Sequence, residues 1–167
     1  MFIFLIIGLF AGCRAKMVYN QTIFDEKSNS DILYGYANLN GFKAEPYNTW
    51  YQFEYSTYQP DLMALDQVPK EALNEISVTI VMATWCSDSQ REVPRFVKIM
   101  DSEGYDPSNI TIINVDRKKM AKNTPVEKLK IERIPTFIFS KNGKEIGRIV
   151  ESPKESLEKD MVSIIGG

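Results

Sequence analysis

The chain has 167 residues, of which 44% are hydrophobic and 25% are charged, and its 20 Lys and Arg against 22 Asp and Glu give a net charge of -2. This composition suits one domain with a hydrophobic core, excludes wholesale disorder, and argues against nucleic acid as a partner because there is no basic surplus. Histidine is absent and Cys13 and Cys86 stand far apart, which excludes His-dependent catalysis and His- or Cys-rich metal sites, so we expect neither metal nor cofactor.

Residues 1–12 are uncharged and almost wholly apolar, and they end at Cys13. This run is too short to span a bilayer but suits the apolar region of a signal peptide. The sequence Phe10-Ala11-Gly12-Cys13 resembles a bacterial lipobox, although Phe10 stands where leucine is usual and no Lys or Arg precedes the run. We therefore expect a lipoprotein signal peptide, with Cys13 lipidated and the protein anchored in the membrane of the cell envelope, facing the periplasm. The alternative is a buried N-terminal strand of a cytoplasmic protein.

Residues 13–30 are polar and without periodicity, and we interpret them as a tether. Residues 31–75 are rich in aromatic side chains. After Pro46, aromatic residues recur at helical spacing: Tyr47, Trp50, Tyr51, Tyr55 and Tyr58. We expect a mainly helical extension whose aromatic residues pack on the following domain rather than forming a ligand platform. Asp61 and Pro69 are placed to begin two further short helices.

From residue 76 to residue 167 the pattern predicts one domain of alternating strands and helices. Strands are expected at 77–83, 110–115, 136–140 and 145–150, the last two joined by an Asn-Gly turn. Helices are expected after Cys86, from a capping box at 124–127, and from another at 152–155. The order strand, helix, strand predicts a parallel pair with a right-handed crossover, and the hairpin adds an antiparallel edge.

This order and three motifs resemble the thioredoxin family. Trp85-Cys86 follows the first strand and opens a helix, Pro94 lies within that helix, and Ile134-Pro135-Thr136 precedes the third strand. The resemblance implies a thioredoxin-like α/β fold, a mixed sheet flanked by helices, with Cys86 as nucleophile. It also implies a cis-proline loop at Ile134 and Pro135, beside which Trp85 helps to bind substrate. With its aromatic extension, the chain is similar to envelope thioredoxin-like proteins of the Bacteroidetes group.

The chain departs from that family where dithiol chemistry is carried out. Ser89 stands where thioredoxins place the resolving cysteine of Cys-x-x-Cys. Ile80 and Ile112 occupy the positions of the family's buried aspartate and its lysine partner. Glu151 corresponds to a glycine of the family's substrate groove, which makes it a further candidate substrate-binding residue.

A cysteine in the first turn of a helix faces the positive end of the helix dipole, which favours the reactive thiolate. Ser89 can donate a hydrogen bond to that thiolate but cannot expel a mixed disulfide. We therefore expect one-thiol exchange with protein thiols or disulfides, in which an external thiol reductant releases the adduct from Cys86. The alternative is a non-catalytic binding module that grips a partner with the cis-proline groove or the aromatic extension. The missing resolving cysteine favours the module, and the retained Cys86 and Pro135 favour exchange.

Overall fold

A six-stranded sheet runs through residues 17–166, the part of the chain that the computed structural model describes. The strands are β1 (Gln21–Asp25), β2 (Ser30–Ala37), β3 (Ile76–Met82), β4 (Ile110–Asn114), β5 (Thr136–Lys141) and β6 (Lys144–Val150). The α-helices are α1 (Tyr47–Thr57), α2 (Leu62–Leu65), α3 (Lys70–Asn74), α4 (Ser87–Ser102) and α5 (Leu157–Ile165), and 3-10 helices lie at Leu39–Lys43, Pro107–Asn109 and Val126–Leu129. The predictions for residues 1–12 and for Cys13 lie outside the described residues.

The strand order across the sheet is β1-β2-β4-β3-β5-β6, in which β3 and β4 are parallel and the other neighbouring pairs are antiparallel. Helix α4 connects β3 to β4, as the strand–helix–strand pattern predicts. Strands β5 and β6 form the predicted hairpin, because Asn142 and Gly143 take the positive φ angles of 51° and 74° that a tight turn needs. The predicted mixed sheet flanked by helices is therefore confirmed.

The larger hydrophobic core lies between one face of the sheet and helices α1, α4 and α5. At its centre Phe96 of α4 is fully buried, with its ring centroid 4.7 Å from that of Phe137 and 6.0 Å from that of Phe139. Leu157 and Met161 of α5 belong to the same cluster. Burial of these side chains holds α4 against the sheet, and so determines where the first turn of α4 lies.

The aromatic residues ahead of β3 pack on this core, as predicted. Phe42 and Tyr51 stack at a centroid distance of 5.3 Å, and both Tyr47 and Tyr51 are buried. The Tyr58 hydroxyl donates to Oε1 of the buried Glu158 at 2.9 Å. This hydrogen bond ties the aromatic segment to α5, so the segment is part of the folded unit.

The two short helices predicted after Asp61 and Pro69 are present as α2 and α3. Asp61 caps α2, because its Oδ1 accepts from the backbone N–H of Ala64 at 3.1 Å. Pro69 immediately precedes α3. Among residues 17–166, no helix combines the length and the apolar composition that a bilayer crossing requires.

Two strands occupy chain segments where we predicted no strand. Strand β1 lies within residues 13–30, and β2 begins the extension of residues 31–75 that we expected to be mainly helical. The tether prediction is wrong for β1, because this edge strand gains its order by pairing with β2, a contact that local polarity does not reveal. Strand β2 also pairs with β4, so the N-terminal segment and the main domain share one sheet.

The starts of two helices also differ from the prediction. The capping box at 124–127 opens only a short 3-10 helix. Helix α5 begins after Ser156 rather than after Ser152, because Ser156 Oγ accepts from the backbone N–H of Lys159 at 3.2 Å. The backbone N–H of Lys154 donates to Asp160 Oδ2 at 2.8 Å, which bends the preceding residues back against the first turn of α5.

Candidate functional site

Cys86 lies at the junction of β3 and α4, where it is the N-cap residue of the helix. It is a half-buried free cysteine, and its backbone N–H donates to the carbonyl of Ala83 at 3.1 Å. The thiol sulfur lies 3.6 Å from the carbonyl oxygen of Ile134, and the Ile134–Pro135 peptide bond is cis. The fold therefore brings Cys86 next to the proline loop that sequence analysis singled out.

Ser89 faces away from solvent in the first turn of α4. It is fully buried, and its Oγ accepts from the backbone N–H of Ala83 at 3.3 Å. Within residues 17–166, no hydrogen bond joins Ser89 to the Cys86 sulfur. The contact observed for Ser89 holds the strand-to-helix junction together, and its donation to a thiolate stays a prediction.

Asp88 forms an ion pair on its own helix. Asp88 Oδ1 lies 2.9 Å from Arg91 Nη2, and Arg91 Nε lies 2.7 Å from Oε1 of the buried Glu92. Hydrogen bonding to Glu92, and to a smaller extent Asp88, raises the pKa of Arg91. Arg91 is therefore shared between the carboxylates of Asp88 and Glu92.

Glu151 lies beside the proline loop, where its backbone N–H donates to the carbonyl of Pro135 at 2.6 Å. Its φ angle is +66°, in the left-handed region that favours glycine, which agrees with the glycine found there in thioredoxins. Its side chain forms an ion pair of 2.7 Å with Arg133. An acid and a base therefore form an ion pair beside the proline loop.

The residues beneath the site are apolar where a proton-transfer pair is expected in a dithiol enzyme. Ile80 on β3 and Ile112 on β4 are directly paired, and both are buried.

Nearby on β4, the amide of Asn114 is fully buried, and neither its Oδ1 nor its Nδ2 has a hydrogen-bond partner within the described residues. No group of three or more His, Cys, Asp or Glu residues in this part of the chain is arranged to hold a metal ion.

Trp85 is held in place by contacts with Val115 and Arg117, two residues that the sequence did not indicate. Its indole Nε1 donates to the carbonyl of Val115 at 3.0 Å, and Arg117 Cζ lies 4.3 Å from the centre of its ring. Arg117 in turn binds the carboxylate of Asp25, at the end of β1, at 2.6 Å. The ion pair joins residues 92 positions apart, so no local pattern in the sequence predicts it.

The Arg117–Asp25 pair makes folding stability depend on pH. Hydrogen bonding from Arg117 holds the pKa of Asp25 well below its ordinary value of 3.8. A lowered folded-state pKa gives stability that is present above the unfolded value and is lost as pH falls toward the folded value. We expect Asp25→Asn to lower the midpoint temperature of thermal unfolding at pH 7. The difference in midpoint between this variant and wild type, the stability gap, should narrow below about pH 4.

Thermal unfolding followed by circular dichroism between pH 7 and pH 2.5 measures this gap. Glu26→Gln makes the same change of charge at the exposed neighbouring residue and is the matched control. A gap for Asp25→Asn that stays constant over the whole pH range would contradict the prediction.

Several known proteins are similar to this chain in sequence. The sequence profile of the thioredoxin family matches residues 66–163. The protein "Thioredoxin H9" of Arabidopsis thaliana is 32% identical over 91 residues, which cover 54% of this chain and 61% of that protein. A thioredoxin of the sponge Geodia cydonium is also 32% identical over 91 residues, which cover 54% of this chain and 80% of that protein.

The matches are limited in extent. The chain spans less than two thirds of the Arabidopsis protein and 55% of "Thioredoxin-like protein R548" of Acanthamoeba polyphaga mimivirus, with which it is 34% identical over 79 residues. Among solved structures, Fasciola hepatica thioredoxin is 22% identical with a TM-score of 0.35, covering 48% of this chain and 71% of that chain. At this TM-score the structural likeness adds nothing to the sequence relationship.

Proposed function

Because the chain belongs to the thioredoxin family, we propose that it is a monothiol thiol–disulfide oxidoreductase in which Cys86 forms mixed disulfides with protein partners. The observation that carries the proposal is the half-buried thiol at the start of α4, 3.6 Å from the carbonyl oxygen of Ile134. The unpaired N–H groups of the first helical turn and the helix dipole favour the thiolate, which is the nucleophile.

The exchange proceeds in two steps that balance without a cofactor. The Cys86 thiolate attacks one sulfur of a partner disulfide, forms a mixed disulfide, and releases the other sulfur as a thiolate. The thiolate of an external reductant then attacks the partner's sulfur in the mixed disulfide, forms a new disulfide bond with the partner, and releases Cys86 as a thiolate. This second thiol must come from another molecule, because Ser89 carries a hydroxyl at the position of a resolving cysteine.

An extended partner segment fits beside the thiol. Because the Ile134 carbonyl lies next to the sulfur, a strand that pairs with the backbone at Ile134 brings its own sulfur within reach of Cys86. Trp85 and the Arg133–Glu151 ion pair flank this position. We propose Trp85, Ile134, Pro135 and Glu151 as the residues that contact the substrate.

The test is capture of a peptide dimer joined by one disulfide bond. Wild-type protein is expected to gain the mass of one half-peptide at Cys86, and adding dithiothreitol is expected to remove it. Cys86→Ser removes the nucleophile, so any adduct that still forms on this variant measures adventitious reaction elsewhere on the chain. Equal amounts of total adduct in wild type and Cys86→Ser would exclude Cys86 as the working nucleophile.

A second candidate function is a non-catalytic binding module that holds a partner at the cis-proline loop or on the aromatic extension. It is favoured by the apolar Ile80–Ile112 pair beneath the site and by the serine that stands at the position of a resolving cysteine. The pH dependence of alkylation separates the two. A Cys86 that reacts with iodoacetamide well below the pH range of a free cysteine, near 8.5, supports exchange, and an unreactive thiol supports the module.

We also propose that the protein acts in the cell envelope, held in the membrane through a lipidated Cys13 and facing the periplasm. The proposal rests on the apolar run of residues 1–12 that ends at this cysteine. Intact-mass analysis of the membrane fraction is expected to show a protein that begins at Cys13 and carries more than one acyl chain. A single acyl chain binds a membrane only weakly, so stable anchoring requires more than one. A chain that keeps Met1 in the soluble fraction would support the cytoplasmic alternative instead.

A further inference from the structure

We infer that the basic surface formed by residues 117–133 selects partners whose disulfide bond lies in an acidic segment. The inference rests on the proposed function and deepens it by naming the chemistry of the partner. The surface follows β4 and leads into the proline loop beside Cys86.

The positive charge of the chain is concentrated in this segment. Residues 117–133 carry seven Lys and Arg against two Glu, whereas the other 150 residues carry 13 Lys and Arg against 20 Asp and Glu. A segment with a net charge of +5 therefore stands in a chain whose overall net charge is -2. Such a local excess attracts acidic partners, over a distance of about 10 Å at 0.1 M salt.

The two arginines of the segment do not carry this excess. Arg117 is paired with Asp25 at 2.6 Å, and Arg133 is paired with Glu151 at 2.7 Å. Both carboxylates lie outside the segment, and they neutralise two of its seven positive charges. The remaining excess is carried by five lysines, which outnumber the two glutamates of the segment.

These lysines have no carboxylate partners among residues 17–166. The side chains of four of them are exposed and take part in no ion pair there: Lys118, Lys122, Lys128 and Lys130. The fifth, Lys119, donates from Nζ to a backbone carbonyl at 2.7 Å and so keeps its charge. Their charges are therefore available to a partner.

The basic surface and the thiol are held by the same part of the core. Leu129 and Ile131 of the segment pack against a cluster of buried side chains that includes Ile134, and Cys86 packs against the same cluster. The Ile134 carbonyl is the group that lies 3.6 Å from the Cys86 sulfur. A partner that reaches the thiol therefore lies beside the surface as well.

A cleft gives an extended partner segment a path from the thiol to the lysines. Its volume is about 330 Å³, and it is lined by Lys118, Lys119 and Lys130 together with the two glutamates. Glu132 lines the cleft two positions before Ile134, a distance that extended chain spans in at most about 7 Å. An acidic residue a few positions from the partner's cysteine thus comes within reach of these lysines.

The test is the rate at which the full chain forms mixed disulfides with three peptide dimers, each joined by one disulfide bond. The cysteine is flanked by glutamates in the first peptide, by lysines in the second and by serines in the third. The triple variant Lys118→Gln, Lys122→Gln and Lys130→Gln is expected to react about threefold to tenfold more slowly than wild type with the glutamate peptide at low ionic strength.

The other peptides separate selection from reactivity. The triple variant should react at the wild-type rate with the serine peptide and faster than wild type with the lysine peptide. Comparing the two proteins on one peptide cancels the reactivity of the peptide itself. The slowing with the glutamate peptide should shrink toward about 0.5 M salt, because salt screens exposed charges.

The matched control makes the same change of charge elsewhere on the surface, through Lys43→Gln, Lys70→Gln and Lys144→Gln. These three lysines are exposed and lie outside the basic surface. We expect the control variant to react with the glutamate peptide within about twofold of wild type.

The inference would be overturned if the triple variant matched wild type on the glutamate peptide, if it were slowed equally on all three peptides, or if the control variant were slowed as much. A triple variant that keeps the wild-type rates but loses binding to phosphatidylglycerol vesicles would overturn it in favour of a membrane-facing surface.

The proposed function fails separately, through the absence of adducts with every peptide. Fluorescence anisotropy with a glutamate peptide whose cysteine is replaced by serine then decides the inference. Weaker binding by the triple variant than by wild type and the control variant would retain the basic surface as a binding site for acidic segments, and equal binding by all three would overturn it.

Discussion

Ser89→Cys is expected to form an internal disulfide with Cys86 and to make mixed disulfides with partners short-lived. Residue 89 follows Cys86 by three positions at the start of α4, where side chains three apart lie on the same face of the helix. An attacking thiol in the same molecule acts at a high effective concentration, so adduct lifetime should fall on the order of tenfold or more.

The measurement is the decay of the half-peptide adduct on Cys86, followed by mass, together with the loss of two hydrogens that marks the internal disulfide. Ser87→Cys is the matched control, since it adds the same thiol at the exposed neighbouring position, which does not share that face. An adduct on Ser89→Cys that persists as long as in wild type would contradict the prediction.

Dithiol activity in Ser89→Cys should be partial at most. The buried Ile80 and Ile112 still supply no group that moves a proton between the two sulfurs. The new thiol also displaces the oxygen that accepts from the backbone N–H of Ala83. Full thioredoxin-like reduction of a disulfide substrate by this single variant would show that the proton-transfer pair is dispensable in this fold.

Phe96→Ala is expected to cause the largest loss of stability, about 3–5 kcal/mol of the free energy of unfolding. The Phe96 side chain is fully buried and packs against the rings of Phe137 and Phe139, so its removal leaves a cavity between α4 and the sheet. The first turn of α4 also positions Cys86. We therefore expect the looser packing of α4 against the sheet to slow Cys86 alkylation as well.

Urea unfolding followed by circular dichroism measures the change in free energy. Phe53→Ala removes the same atoms from a side chain that is 63% exposed, and it should cost no more than about 0.5 kcal/mol. Equal losses of the free energy of unfolding in the two variants would show that burial of Phe96 does not stabilise the core.

Features of the domain that arise from neighbouring residues were predictable from the sequence. The apolar run of β3, the helix after Cys86, and the Asn142-Gly143 hairpin each follow from local periodicity or from turn residues with positive φ. The resemblance to thioredoxins then located Cys86 and Pro135 at one site, where the structure brings them together.

Features that depend on distant residues arise only when the chain folds. The edge strand β1 forms because β2 supplies its hydrogen-bond partners, while its own composition predicts a tether. Ser156 rather than Ser152 caps α5, because the chain before it bends back onto Asp160.

The site shows the same division. Local sequence alone predicts that Cys86 stands at the start of a helix, with Ser89 three positions after it. Only in the folded chain does Ser89 accept from the backbone N–H of Ala83, and only there does Arg117 lie over Trp85 with Asp25 of β1 behind it. An ion pair between residues 92 positions apart leaves no periodic trace in the chain, because only the pairing of β1, β2 and β4 brings its two members together.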